Sequence, residues 1–382
     1  MYEFARRWVA QGDEVTVVTS VYDKSDLDPR GVVDRVDIEG IDVRVINVRL
    51  SNKHGILARL FTFSWYAVCS CWYSLTIPAD VVVASSGPIT VGLPGLIARW
   101  IRSRALVIEV RDLWPEGAIQ LGRLRGAVFV RAARWFERVC YQNASAVIAL
   151  SEGMSEDIKR RYPKTSVHIV PNSCDLSLFG ANSAVPNEGP GGPITRPNLV
   201  VYTGTLGTMD DCEQILDAAS VLKERGRDDI AFALIGDGSE REALEIRADN
   251  AGLEQVSFVG LLPKVDVVGW LRRATCSLVV FKDVPVLATS SPNKLFDALA
   301  AGVPVVQNTQ GWIRDLLAGH QCGLTVPAGD QAALANAIER LCCDEALRDQ
   351  MATNARLVAE ELFDRDMLAE RMRRVLLEAA GA

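Results

Sequence analysis

The sequence is poor in the residues and motifs that build metal and nicotinamide sites. Its 382 residues include only three histidines, and its nine cysteines form no Cys-x-x-Cys pair. Zinc sites draw on these side chains, so we expect no bound metal. The odd number and scatter of the cysteines favour reduced thiols in a cytoplasmic protein. No Gly-x-Gly-x-x-Gly follows an early strand, which disfavours a nicotinamide dehydrogenase, and the net charge of −7 argues against general affinity for nucleic acid.

Uncharged stretches long enough to cross a membrane are also scarce. Residues 60–78 come close to the lower limit of about 17–25 residues for a spanning helix, but they include serine, threonine, tyrosine and two tryptophans. We therefore predict a buried or interfacial helix rather than a span. Contact with a membrane surface and packing against a sheet both remain open for this helix.

Short β-branched segments alternate with helical patterns along the chain, which is the rhythm of a buried parallel sheet. The Pro- and Gly-rich residues 180–198 interrupt this rhythm and indicate a linker. We predict two doubly wound α/β domains, an N-terminal one at 1–179 and a C-terminal one at 199–355, followed by a final helix at 356–382. Strands are predicted at 13–20, 41–48, 80–87, 105–112, 145–153, 166–173, 199–207, 230–239, 256–263, 276–283, 303–309 and 322–330.

The first domain opens on an amphipathic helix, although a doubly wound domain is expected to open on a strand. The first strand is central in this fold, so its loss would leave two neighbouring strands without ladder partners. We therefore expect about 20–30 residues upstream, a length set by one strand and its loop.

Two glycine-containing turns follow predicted strands of the second domain. The first, at 202–211, contains Gly204 and Gly207, and the second, at 235–240, contains Gly236 and Gly238. Glycines allow backbone N–H groups to approach a phosphate, and the helix that follows favours an anion. The alternative for both turns is that glycine is there only for backbone geometry.

The segment "SPNKLFDALAAGVPVV" at 291–306 places a lysine where a helix disfavours one. Ser291 or Asn293 could cap this helix, and Lys294 then lies in its first turn, where the helix dipole opposes a cation. An anionic ligand beside Lys294 would explain the placement. Asp297 is one turn further on, and the alternative is an exposed Lys294–Asp297 ion pair.

In the first domain, "VIEVRDLWPEG" at 107–117 ends a strand with Arg111, Asp112, Trp114 and Glu116. Charges and an indole at a strand end suit a sugar-binding region with acid–base groups. The alternative is a helix start, with Pro115 near its first position and Glu116 favoured by the dipole. Asp-x-Asp triplets at 26–28 and 364–366 are of a kind that arises by chance, and we discount both as metal motifs.

Several segments together resemble a bacterial glycosyltransferase of the large retaining family 4, which has the GT-B fold of two Rossmann-like domains facing a cleft. They include residues 107–122, 202–219 and 291–306, and the resemblance extends over nearly the whole chain. "RDLWPE" and "SPNKLF" are similar to segments of the transferases of N-acetylated deoxyhexosamines, such as N-acetylfucosamine, in capsule, O-antigen and related surface-polysaccharide assembly.

The resemblance implies a donor site for a UDP-linked sugar in the second domain. Lys294 would neutralise the diphosphate, and Asp297 matches the second carboxylate of the family's E-x7-E motif, which binds the ribose. The first carboxylate of that motif falls on Thr289, so Thr289, Ser290 or Ser291 would have to replace it. The family's usual Arg/Lys pair falls on Thr208 and Met209. The remaining donor-binding residues implied are Gly204, Thr205, Leu206, Gly207, Gly236, Asp237, Gly238, Leu261, Ser291 and Asn293.

The resemblance also implies a metal-independent reaction, with Asp112, Glu116 and Lys294 as catalytic residues. Asp112 and Glu116 would position the acceptor hydroxyl, and Arg111 and Trp114 would bind the acceptor. The acceptor would be a polyprenyl-diphosphate-linked sugar or an oligosaccharide, with peripheral contact at the inner face of the cell membrane. The last helix would cross back to the first domain. The alternatives are a nucleotide-sugar 2-epimerase and a truncated, inactive homologue that only binds.

Overall fold

The computed structural model of the protein describes residues 1–22, 27–50, 56–87, 89–180 and 196–381. Most of the predicted linker at 180–198 and the first residue of the triplet at 26–28 lie outside the described residues.

Strands occur near all twelve predicted places, and the described part of the chain holds one strand more than was predicted. They are β1 (Thr16–Tyr22), β2 (Val33–Ile38), β3 (Ile41–Leu50), β4 (Val81–Ser86), β5 (Ala105–Val110), β6 (Ala146–Ala149), β7 (Val167–Ile169), β8 (Asn198–Thr203), β9 (Ile230–Ile235), β10 (Val256–Gly260), β11 (Cys276–Val279), β12 (Val305–Gln307) and β13 (Gly323–Thr325).

Helices connect most of these strands, and the segment predicted as one final helix at 356–382 is instead divided between the end of one helix and a second helix. They are α1 (Tyr2–Ala10), α2 (Ile56–Thr76), α3 (Gly92–Arg102), α4 (Glu116–Gln120), α5 (Ala127–Asn143), α6 (Glu152–Arg161), α7 (Cys212–Glu224), α8 (Arg241–Asn250), α9 (Lys264–Arg272), α10 (Asn293–Ala300), α11 (Trp312–His320), α12 (Gln331–Cys343), α13 (Glu345–Leu362) and α14 (Arg365–Ala380), with single 3-10 turns at Ile89–Val91 and Pro285–Thr289.

The chain divides into two compact units. The first comprises Met1–Val170 and Asp366–Ala382, and the second comprises Pro171–Arg365. Residues from α14 belong to the first unit because their apolar side chains join its core beside α1. The indole N–H of Trp8 donates to the Ala369 carbonyl at 2.9 Å, and Leu368 and Met372 are buried in the same cluster.

The second unit has one fully parallel sheet with the strand order β10-β9-β8-β11-β12-β13. Helices cover such a sheet on both faces, so its central strands read as continuous apolar runs, and every residue of β9 is buried. The strands predicted for this unit extended too far at their carboxyl ends, because the turn residues after each strand were included in them.

The first unit has two sheets among its described residues. In one, with order β1-β3-β2, β1 pairs parallel to β3 and β2 pairs antiparallel to it. The other has the parallel order β4-β5-β6-β7. In the described ranges, β1 pairs only with β3 and β4 pairs only with β5, so β1 and β4 each have one unpaired edge.

The sequence prediction missed β2, which forms a hairpin with β3. Glu39 and Gly40 connect the two strands with φ angles of 53° and 83°, the left-handed geometry of a tight hairpin turn. Three charged residues in β2, Asp34, Arg35 and Asp37, obscured the alternation of apolar and polar residues in its sequence.

No helix in the described part of the chain is both long and apolar enough to cross a bilayer. The nine cysteines are all free thiols.

Candidate functional site

In the sheet of the second unit, the direction in which successive strands are added reverses at β8. From this central strand the chain proceeds to β9 and β10 on one side of the sheet and then to β11, β12 and β13 on the other. In open α/β sheets such a topological switch point opens a crevice between two loops at the carboxyl ends of the strands, and ligands bind there. The loop between β8 and α7 and the segment between β11 and α10 therefore define the candidate site.

The glycines of the two predicted turns bring these turns into backbone contact. A Cβ atom on Gly236 would lie 1.7 Å from the Gly204 carbonyl oxygen, and one on Gly238 would lie 2.2 Å from that of Leu206. The Gly204 N–H donates to the Ile235 carbonyl at 2.9 Å. Close backbone packing alone accounts for glycine at 236 and 238, and it holds the β8–α7 loop in place.

Lys294 is buried with its ammonium directed at the β8–α7 loop. Its Nζ donates to the Tyr202 hydroxyl at 2.7 Å and to Asp210 Oδ1 at 2.8 Å. A Cβ atom on Gly204 would lie 3.2 Å from this Nζ. The expected alternative of an exposed Lys294–Asp297 ion pair is therefore wrong, because Lys294 pairs with a carboxylate of the preceding loop instead.

The surroundings of Lys294 compensate for its position in the first turn of α10. Lys294 and Asp210 are 8% and 10% exposed, so their pairing takes place largely out of water. The ammonium also lies 4.0 Å from the centroid of the Tyr202 ring. Burial, with Cys212 and Asp210 nearby, raises the pKa of the Tyr202 hydroxyl well above its usual value, so Tyr202 stays neutral. The lysine is thus a preorganised cation at the switch point.

The chain before α10 turns its carbonyl groups toward neighbouring side chains. The Trp312 indole donates to the Ser290 carbonyl at 2.8 Å, and the Asn172 amide donates to the Ser291 carbonyl at 2.7 Å. Within the described residues the buried Ser291 hydroxyl has no hydrogen-bond partner. The prediction that Ser291 or Asn293 caps α10 is wrong. The N-cap residue is Pro292, and no side chain accepts a hydrogen bond from the first N–H groups of the helix. The start of α10 thereby keeps N–H donors for an anion.

Asp297 lies on the same helix as Lys294 but has a different partner. Its Oδ1 is 2.9 Å from Lys264 Nζ, at the start of α9. Burial raises the pKa of the Asp297 carboxyl, and the Lys264 ammonium opposes that rise. The hydroxyl of Thr289, which stands where the family motif has its first carboxylate, donates to the Val286 carbonyl at 2.7 Å.

The remaining residues predicted to bind the donor divide into exposed and buried groups. Leu206 is fully buried in the core of the second unit, its backbone N–H donates to the Asp237 carbonyl at 3.1 Å, and its carbonyl accepts from the Glu240 N–H at 3.0 Å. Gly207 is half-buried and adjoins the Thr205 side chain. Exposed side chains at the carboxyl ends of the strands are those of Thr205, Asp237, Leu261 and Asn293.

The residues predicted to handle the acceptor lie together after β5 in the first unit. Arg111 is half-buried, and its backbone N–H donates to the Ser86 hydroxyl at 3.2 Å. Asp112 is exposed, yet the protein around its carboxyl raises the pKa, against the opposing charge of Arg111. Trp114 is half-buried and precedes the predicted helix start at Pro115.

Glu116 has a structural partner as well as a predicted catalytic role. Its Oε2 is 3.0 Å from an Nη of Arg134 on α5. It also stands in the first turn of α4, as the helix-start alternative predicted. This ion pair ties α4 to α5, and Asp112 is the more exposed of the two residues.

Sequence reasoning missed the side chains that position Lys294 and Asp297. Tyr202 and Asp210 lie 92 and 84 positions before Lys294 in the chain, and Lys264 is the first residue of a different helix, α9. The adjacent acids Asp210 and Asp211 after the glycine turn were the one available signal. A buried lysine requires a counter-charge, and a carboxylate on the facing loop is a natural source.

A parallel sheet with this strand order and a switch point at β8 places the second unit in the doubly wound α/β class. Two family models match the chain: "Glycosyl transferase 4-like domain" at residues 1–173 and "Glycosyl transferases group 1" at residues 188–358. The chain belongs to the family 4 glycosyltransferases with the GT-B fold.

Curated relatives carry related names. An alpha-D-kanosaminyltransferase of Streptomyces kanamyceticus is 25% identical over 232 residues, which cover 58% of this chain and 58% of that protein. A Campylobacter jejuni N-acetylgalactosaminyltransferase, named for a saccharide acceptor on undecaprenol diphosphate, is 23% identical over 251 residues, covering 65% and 64%. Alignments with the first three curated relatives span 49–58% of those relatives' lengths.

Solved structures share the fold at lower identity. A sucrose-phosphate synthase from Thermosynechococcus elongatus superposes with a TM-score of 0.72 at 18% identity, covering 98% of this chain and 91% of that one. HepE from Anabaena, in complex with UDP and glucose, gives a TM-score of 0.62 at 19% identity, covering 88% and 86%. These likenesses establish the GT-B fold.

Proposed function

We propose that the protein is a retaining glycosyltransferase of surface-polysaccharide biosynthesis. It transfers a sugar, of the N-acetylated deoxyhexosamine class, from a UDP-linked donor to a lipid-linked or saccharide acceptor. The observation that carries this proposal is the buried Lys294 ammonium at the switch point of the second unit, held by Tyr202 and Asp210 beside a glycine turn.

The donor diphosphate occupies the crevice between the β8–α7 loop and the start of α10. Lys294 supplies a fixed cation, and the Ser291 hydroxyl and the first N–H groups of α10 supply hydrogen bonds. Asp297, positioned by Lys264, accepts hydrogen bonds from the ribose hydroxyls. The presence of UDP in the structure of HepE, which has the same fold, is consistent with this choice of nucleotide.

Transfer proceeds by substitution on one face of the donor sugar. The bond between the anomeric carbon and the diphosphate oxygen breaks as the acceptor hydroxyl oxygen bonds to the same carbon from the same side. The hydroxyl proton passes to the departing diphosphate. Negative charge grows on that diphosphate, where Lys294 and the amides of α10 stabilise it, so no divalent metal is required.

The acceptor is bound by the first unit, at the carboxyl end of β5. Asp112 accepts a hydrogen bond from the acceptor hydroxyl, while Arg111 and Trp114 bind neighbouring sugar groups. The undecaprenol-linked acceptor named for the Campylobacter relative supports a lipid-linked acceptor. Such an acceptor would bring the protein to the inner face of the cell membrane.

A donor screen by calorimetry and by transfer tests this proposal. We expect the purified chain to bind UDP more tightly than uridine and to transfer sugar from a UDP-sugar to a polyprenyl-diphosphate-linked acceptor, with turnover persisting in excess chelator. Lys294→Met combined with Asp210→Asn removes the cation without leaving a buried carboxylate, and should weaken UDP binding about 10- to 100-fold. Uridine binding should change little.

Lys223→Met is the matched control, because Lys223 lies at the far end of α7 and donates to the Ala251 and Gly252 carbonyl groups after α8. It should leave UDP affinity unchanged. UDP binding without transfer from any donor would favour the binding-only homologue. Equal UDP affinity in the double variant and the wild-type protein would refute the diphosphate site.

A further inference from the structure

Helix α2 presents a row of large apolar side chains to solvent. Phe61, Trp65, Val68 and Trp72 follow one another at intervals of four, three and four residues. These intervals place all four within about 60° of arc on one helix face. Phe61 and Trp72 are 70% and 65% exposed, whereas Ser70 on another face is buried.

Helices α3 and α5 extend this surface. α2 packs beside α3, and α3 packs beside α5. The Trp100 indole, near the end of α3, donates to the Asn143 side chain at the end of α5 across 3.0 Å. Exposed apolar side chains continue on α5 at Val128, Phe129 and Trp135. We call the solvent side of α2, α3 and α5 the outer helical face.

The outer helical face is cationic although the protein as a whole carries a net charge of −7. The sequences of the three helices contain six arginines, no lysine and no aspartate. Their one acid, Glu137, is fully buried and paired with Arg161 at 2.6 Å. Arg131 and Arg138 are exposed beside the apolar residues of α5.

We propose that the outer helical face docks on the surface of an anionic phospholipid bilayer. Tryptophan and phenylalanine insert at the boundary between headgroups and acyl chains, and arginines attract the lipid phosphates. The helices lie along the surface rather than crossing it. A second copy of the chain is a poorer occupant, because a two-fold interface on this face would set arginines against arginines.

This inference deepens the proposed function by naming the surface that brings the protein to a lipid-linked acceptor, but its test needs neither donor nor acceptor. The purified chain is mixed with vesicles of phosphatidylcholine alone or with phosphatidylglycerol added, and bound protein is measured by flotation. We expect binding to the anionic vesicles that declines with added salt.

Two variants probe the two parts of the face. Phe61→Ser with Trp72→Ser should reduce binding to anionic vesicles at least tenfold. Arg131→Glu with Arg138→Glu should weaken it by about fivefold for each arginine, as expected for charges at a lipid surface. The controls are Ile246→Ser, an exposed apolar residue on α8, and Lys164→Glu, an exposed cation after α6, which should bind as the wild-type protein does.

Binding that is equal on neutral and anionic vesicles, or that survives both double substitutions, would overturn the proposal. So would a dimer in solution that the Phe61/Trp72 variant abolishes while vesicles stay unbound. Because every substitution is at an exposed position, thermal unfolding should match that of the wild-type protein. Loss of vesicle binding with UDP binding intact would separate this surface from the donor site.

Discussion

Lys294 occupies a position that is electrostatically unfavourable for a cation, and a neighbouring carboxylate offsets this cost. Its charge in the first turn opposes the dipole of α10, and its burial removes it from water. Asp210 offsets both effects from a facing loop. The pair fixes the Lys294 ammonium at the switch point of the second unit, where we propose that the diphosphate binds.

The pair makes a prediction about stability that is independent of function. Asp210→Asn leaves a buried ammonium without its counter-charge and should destabilise the second unit by about 3–5 kcal/mol. Lys294→Met with Asp210→Asn removes both charges and should recover most of that loss. Urea unfolding of the ligand-free protein should give the highest unfolding free energy for the wild-type protein, a lower one for the double variant and the lowest for Asp210→Asn. A double variant no more stable than Asp210→Asn would contradict this account.

The Lys264–Asp297 pair predicts a dependence of donor binding on pH. Burial raises the pKa of Asp297, and Lys264 limits that rise. In Lys264→Met the pKa rises further, so the ionised carboxylate is lost at a higher pH as the solution is acidified. Affinity for UDP, measured by calorimetry from neutral to mildly acidic pH, should therefore fall earlier in the variant.

Asp297→Asn is the matched control for that titration, because it has no carboxylate to protonate there. Its UDP affinity should be lower than that of the wild-type protein at neutral pH and should lack the extra loss in acid. A Lys264→Met profile that coincides with the wild-type profile would rule out the pairing as a determinant of ribose binding.

The sequence located the anomaly at Lys294 but not its explanation. A first-turn lysine is visible in a local window, because helix start signals are local. Its partners Tyr202 and Asp210 are brought to it only by the neighbouring placement of β8 and β11 in the sheet, which depends on pairing far apart in the chain. Local patterns therefore drew attention to Lys294 but could not supply its contacts.

Among the elements, buried parallel strands were the most predictable. β9 is six consecutive buried residues, and no charged residue interrupts its apolar pattern. The strand β2 was not predicted because its sequence is rich in charged residues. An antiparallel strand with one face toward solvent can carry such charges on that face. The ends of strands were misplaced where small residues continued the apolar run into a turn.

The contact between the two glycine-containing turns of the second unit predicts that Gly236→Ala, which adds one methyl group, strongly lowers the free energy of unfolding. Gly236→Ala would place a Cβ atom 1.7 Å from the Gly204 carbonyl oxygen, at a φ of 150°. Both clash and backbone strain oppose it, so we expect a loss of about 2–5 kcal/mol in unfolding free energy. Denaturant unfolding of the purified variant would measure it.

Gly319→Ala provides the control for that substitution. Gly319 lies within α11, and nothing stands within 4 Å of an added Cβ atom. Alanine favours a helix interior, so this variant should be neutral or slightly more stable. Similar losses in both variants would show that the contact of the two turns is not the cause.

At the scale of the whole molecule, the end of the chain contributes to the core of the first unit. Leu368, Met372 and Val375 of α14 are buried against residues of α1, β1 and β3. Arg373 adds an ion pair with Asp13 at 2.6 Å. The first unit is therefore built from both ends of the sequence.

Leu368→Ala should lower the stability of the first unit by about 2–5 kcal/mol, because it opens a cavity at a fully buried position. UDP binding, which the proposal assigns to the second unit, should persist at low temperature. Leu362→Ala, at a position 38% exposed on α13, should cost far less. Thermal unfolding followed alongside UDP titration tests both expectations. Simultaneous loss of stability and UDP binding in Leu368→Ala would contradict the assignment.

The unpaired edges of β1 and β4 have a consequence for handling the protein. β1, with the sequence "TVVTSVY", has no charged or proline residue and is rich in β-branched side chains. Free edges of this composition template the addition of strands from other chains, which is the first step of amyloid-like assembly. In the described part of the chain, loosening of the first unit is therefore expected to favour aggregation that starts at β1.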